Sequence, residues 1–71
     1  MAAGIARVDK DKMRFQTEEI LAMHQHMLEK IEFYAAQAEV EEYKKFWQEL
    51  INNNRRIIGQ LSRYMVTKCN R

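Results

Sequence analysis

A chain of 71 residues has room for one domain, and a domain that short covers only about 60% of the surface its unfolded form exposes, so disulfides, a metal or a second copy is expected to staple it. Its single cysteine, Cys69, excludes an intrachain disulfide. With 46% hydrophobic and 31% charged residues, no proline, two glycines and a formal charge of +2, the composition is that of a helical protein and excludes disorder.

The first segment, 1–14, sets Arg7, Lys10, Lys12 and Arg14 against Asp9 and Asp11 with little apolar content, and is expected to be a flexible or weakly helical basic arm. From Met1 to Val8 there is neither a long apolar region nor a cleavage pattern, and no later run approaches the roughly 18 apolar residues of a membrane span. A cytoplasmic location is therefore the expectation. Thr17 followed by Glu18 and Glu19 reads as an N-cap with acids in the first turn, where the helix dipole favours them. Asp9 is a rival start, because no breaker separates it from Thr17.

A first helix is placed at about 17–37. Ile20, His24, Met27, Ile31, Tyr34 and Ala38 recur at alternating spacings of four and three, and Leu21, Leu28 and Ala35 widen the stripe. The second helix is placed at about 39–67, on Val40, Tyr43, Trp47, Leu50, Asn54, Ile57, Leu61 and Tyr64, widened by Ile51, Ile58 and Met65. The two stripes are out of phase: the first frame would continue onto Glu41 and Lys45. That slip means a turn near Gln37 to Glu39 or one long helix with a stutter. Charge favours the turn, since Glu39, Glu41 and Glu42 crowd one helix start and Arg63, Lys68 and Arg71 crowd the final end.

Folding at about residue 39 pairs positions whose numbers sum to about 78. Ile20 then meets Ile57 or Ile58, Met27 meets Leu50 or Ile51, Ile31 meets Trp47, and Tyr34 meets Tyr43. His24 meets Asn54, and these are the two polar residues on the seams between Ile20 and Leu61. Two helices cannot cover faces this wide. The expected fold is all-α, a two-helix antiparallel hairpin over 15–71 that completes a four-helix bundle as a homodimer. Its oligomer core would hold Ile20, His24, Met27, Ile31, Trp47, Leu50, Asn54, Ile57 and Leu61.

Chemistry is sparse. His24 on an inner face could ligate a metal with Glu19 or His26, but the Glu-x-x-His pairs of di-iron bundles are missing, and Asn53 and Asn54 stand where a second helix needs a carboxylate or histidine. A histidine–asparagine layer that fixes register accounts for His24 better, and His26 lies toward the polar face. No cofactor is expected. No nucleophile–base pair, phosphate-binding glycine loop or zinc spacing is present, so an enzyme is not expected. The aromatics Tyr34, Tyr43, Phe46 and Trp47 gather at the turn end as core. Phe33 points outward and could mark a contact with a protein partner, and the five methionines read as gap-fillers. Residues 51–71 carry five bases and no acid. That end could touch phosphates as a nucleic-acid accessory protein, yet it lacks a dense basic stripe and a helix-turn-helix signature. Cys69 reads as an incidental thiol in a frayed tail.

The run from Tyr34 to Trp47, Tyr-Ala-Ala-Gln-Ala-Glu-Val-Glu-Glu-Tyr-Lys-Lys-Phe-Trp, followed by Leu50, Asn54, Ile57 and Leu61, resembles a helical hairpin of the ferritin-like superfamily. It is similar in particular to the spore coat F-like branch, where an alanine-rich corner precedes an acidic helix start. The resemblance covers roughly 17–66 as a pattern of residue classes. It implies a bundle fold and a bacterial, spore- or shell-associated assembly protein. Metal-binding relatives would carry a histidine near Asn53 or Asn54, preceded by glutamate, and this chain departs from them there. The working expectation is a non-enzymatic homo-oligomeric assembly module; a degenerate ferritin-like metal binder and a nucleic-acid accessory protein are the alternatives.

Overall fold

The computed structural model describes residues 7–69. Expectations for the residues before Arg7, for the Lys68 and Arg71 side chains and for the Cys69 thiol lie outside what it describes. The chain is a hairpin of two antiparallel helices. Helix α1 spans Arg7–Gln37 and helix α2 spans Glu41–Tyr64, extended by a π-helical turn over Met65–Cys69.

Helix α1 begins ten residues before Thr17, closer to the rival start at Asp9. Arg7 to Arg14 is thus part of the same helix. Nothing in that stretch breaks a helix, and Asp9 lies in the first turn, where it favours the dipole. Thr17 is accordingly no N-cap. Its hydroxyl donates to the Met13 carbonyl at 2.7 Å, the i−4 bond of a threonine inside a helix.

The turn is Ala38, Glu39 and Val40, with helix α2 starting at Glu41, two residues later than expected. It needs no glycine, because no non-glycine residue described takes a positive φ. The Ala38 N–H donates back to Ala35 O at 3.2 Å, and Val40, at φ −85 and ψ 131, is the half-extended residue before α2. Val40 has no side chain to cap the helix, but its carbonyl accepts from the N–H groups of Tyr43 and Lys44, both at 3.0 Å. Glu41 and Glu42 supply the acidic first turn and Arg63 the basic last turn.

Burial fixes the frame. On α1 the less exposed positions are Thr17, Leu21, His24, Leu28, Ile31 and Ala35; on α2 and the π-helical turn that extends it they include Trp47, Ile51, Asn54, Ile58, Leu61 and Met65. Both sets alternate spacings of four and three, which is a heptad seam with these residues at the a and d positions. Ile31 (5% exposed) and Ile51 (6%) are the buried apolar residues, and no large side chain is fully buried. The hairpin is elongated, 57 × 16 × 16 Å. Its radius of gyration of 16.5 Å compares with about 11 Å for a compact domain of this length.

Candidate functional site

The hairpin has two unlike sides, which follow from the frame. In an antiparallel pair, the positions before a on one helix (g) lie beside the g positions of the other, and the positions after d (e) lie beside e. The e side is polar: Glu18, Gln25 and Glu32 on α1, Gln48, Arg55 and Ser62 on α2. Arg55 Nη2 bonds Glu32 Oε2 across it at 2.8 Å. Side chains lean toward the N-terminus of their own helix, which brings these two long groups together from different levels.

The g side is apolar throughout. Helix α1 contributes Met13, Ile20, Met27 and Tyr34, which are 43%, 42%, 45% and 46% exposed. Helix α2 contributes Tyr43, Leu50, Ile57 and Tyr64 at the same seven-residue interval. Met23 and Phe46 broaden the face on either helix, and both are exposed. The nine residues expected in an oligomer core therefore divide. His24, Ile31, Trp47, Asn54 and Leu61 line the seam within the hairpin, whereas Ile20, Met27, Leu50 and Ile57 stand on its g side. The seam of α1 is instead completed by Leu21 and Leu28, which the sequence reading had placed on the margin.

His24 and Asn54 meet in the seam. Asn54 is buried. Its Nδ2 donates to the His24 carbonyl and its Oδ1 lies 2.7 Å from His24 Nδ1, both bonds being 2.7 Å long. Because the amide nitrogen is committed to the carbonyl, Oδ1 faces the ring and can only accept, so Nδ1 carries the hydrogen. Among the described residues no buried side-chain nitrogen or oxygen lacks a partner. The layer is satisfied within one chain, and it pins the helices at the sum of 78.

The metal candidates are not brought together. His24 is in the seam with Nδ1 engaged, while His26 and Glu19 are exposed on the outer side of α1 and His26 Nδ1 lies 3.8 Å from Glu29. Among the described residues no three of the histidine, cysteine or carboxylate side chains cluster as a metal would need. The basic end is divided as well. Arg55 turns to Glu32, while Arg56, with Asn53 Oδ1 at 3.3 Å, and Arg63 share the outer side of α2. At the turn end the rings run Phe33–Tyr34–Trp47–Phe46, with centroids 6.0, 5.8 and 5.2 Å apart. Phe33 thus packs on Tyr34, and Trp47 supplies the ring across the hairpin that Tyr43 was expected to supply. No described helix is long and apolar enough to cross a membrane. No protein-family model, curated protein or solved structure matches the chain.

Proposed function

We propose that this chain is a non-enzymatic assembly module whose working unit is a homodimer, a four-helix bundle built from two hairpins. The observation that carries the reading is the g side, eight apolar positions in four rows along one side of the hairpin, six of them exposed and Leu50 and Ile57 half-buried. Surface area supports it quantitatively. The chain exposes 6081 Å², whereas a compact monomer of 8.6 kDa exposes about 4,700 Å². The surplus of about 1,400 Å² exceeds the roughly 800 Å² that each partner of a standard interface buries. A resemblance to ferritin-like, spore coat F-like hairpins fits this reading at the level of the bundle, and Asn54, committed to His24, speaks for a register element there rather than a metal ligand.

The test is molar mass in solution by light scattering over a wide concentration range, run on the native chain and on Met27→Glu/Leu50→Glu. The native chain is expected at twice 8.6 kDa or a multiple of it, and the variant at lower mass. A folded native monomer at every concentration would overturn the proposal.

A further inference from the structure

The g side repeats evenly, so two copies could close on each other in two ways, with their turns at the same end or at opposite ends. Charge decides between them. The hairpin is divided at its middle by the His24–Asn54 layer. The turn half, 25–53, carries six carboxylates and three lysines, net −3. The open half, counting 7–23 and 55–69, carries eight basic residues and four carboxylates, net +4. Turns at the same end would stack −3 on −3 and +4 on +4. Facing helices in a bundle lie about 10 Å apart, close to the Debye length of about 8 Å at physiological salt, so that repulsion is partly screened there and grows as salt is lowered.

The rim of the apolar side repeats the pattern residue by residue. On α2 the positions one before Tyr43, Leu50, Ile57 and Tyr64 are Glu42, Glu49, Arg56 and Arg63, all exposed. This is a ladder with acid in its first half and base in its second.

We propose, resting on the dimer reading above, that the second copy lies with its turn at the opposite end, so that α2 packs on the partner's α2 in antiparallel sense. The two-fold axis then crosses the bundle at the level of the polar layer, between Ile20 and Met27 on α1 and between Leu50 and Ile57 on α2. Reversal about that point sets Glu42 opposite the partner's Arg63 and Glu49 opposite the partner's Arg56, each twice by symmetry. On α1, Glu19 falls opposite the partner's His26. In the other arrangement α1 packs on the partner's α2: Glu19 falls opposite the partner's Arg56 and His26 opposite the partner's Glu49, but Lys12 falls opposite the partner's Arg63 and Glu42 faces Phe33, so one carboxylate–guanidinium pair and one repulsive pair replace the two carboxylate–guanidinium pairs of the arrangement proposed. The ladder then supplies orientation and the g side supplies adhesion, the usual division between charged rims and apolar cores.

Two measurements test it. The first is charge exchange read by light scattering at low salt. Glu42→Arg/Glu49→Arg alone and Arg56→Glu/Arg63→Glu alone are each expected to weaken the dimer at least tenfold. Mixing the two, or combining all four changes in one chain, is expected to restore it. The second is the distance between spin labels on Glu39→Cys in a Cys69→Ser background. Labels at opposite ends are expected about 45 Å apart, from roughly 15 residues of helix on either side of the axis at 1.5 Å each. A dimer with labels within about 20 Å, or with no rescue on mixing, would overturn the orientation and leave the dimer intact. A native chain that stays monomeric would overturn both. Helicity by circular dichroism identifies any variant that has lost its fold, and the label pair carries the test in that case.

Discussion

Asn54→Leu is expected to be costly on its own and cheap in company. It removes a side chain that is 4% exposed and makes two 2.7 Å hydrogen bonds. The His24 carbonyl keeps its own helical partner, so losing Nδ2 costs it little. The His24 Nδ1 hydrogen is left facing a leucine, and stranding a partly buried donor costs about 1–3 kcal/mol. Leucine recovers part of that through apolar burial, so the net loss is expected near 1–2 kcal/mol. His24→Leu mirrors it, stranding Asn54 Oδ1. The double variant strands nothing, and apolar replacement of a complete polar pair is close to neutral or stabilising. The coupling in the cycle should therefore be about 2–4 kcal/mol, the sum of the two single losses. The assay is urea unfolding of all four proteins at one fixed protein concentration, because the midpoint of a dimer depends on concentration. Each kcal/mol is also worth about 4–8 °C in a thermal scan for a domain of this size. Single losses that simply add in the double variant would refute the idea that these residues act as one layer.

Thr17→Val distinguishes an interior threonine from a cap: an interior residue should change stability by under about 1 kcal/mol in thermal unfolding, whereas a lost N-cap would remove about 1–2 kcal/mol. Gly59→Ala places a methyl group where nothing lies within 4 Å, and should stabilise by about 0.5–1 kcal/mol. A loss there, measured in the same way, would mean that a partner approaches the backbone at Gly59. Arg55→Ala removes a bridge whose partners are 59% and 44% exposed, so under about 1 kcal/mol is expected in urea unfolding, shrinking further in 1 M salt.

The polar layer was legible in the sequence because only two polar residues interrupt the seams between Ile20 and Leu61, and one fold point brings them level. The turn was legible through phase, although it contains no turn residue. The frame of α1 was harder to read. Ile20 and Leu21 are both apolar, as are Met27 and Leu28, so periodicity does not say which of each pair enters the seam; packing across the hairpin selects Leu21 and Leu28. The start of α1 was hidden for the opposite reason. Thr17-Glu18-Glu19 has the chemistry of a cap, but a cap stops a helix only where the preceding residues prefer another conformation, and Lys10 to Gln16 do not. The open side could be read only once the frame was known, since the same eight apolar residues would otherwise pass for core.

The absence of any turn-forming residue at Ala38, Glu39 and Val40 has an evolutionary consequence. What bends the chain is a two-residue slip between the stripes, and every residue at the bend is free to be helical. Deleting Glu39 and Val40 would bring Ala38 and Trp47 into one heptad register. The same sequence would then favour a single rod of about 60 residues, roughly 90 Å at 1.5 Å per residue, in place of a 57 Å hairpin. A six-nucleotide deletion thus separates two architectures that share nearly every apolar residue, and a lineage could move from helical hairpin to extended coiled coil without rebuilding its apolar seam.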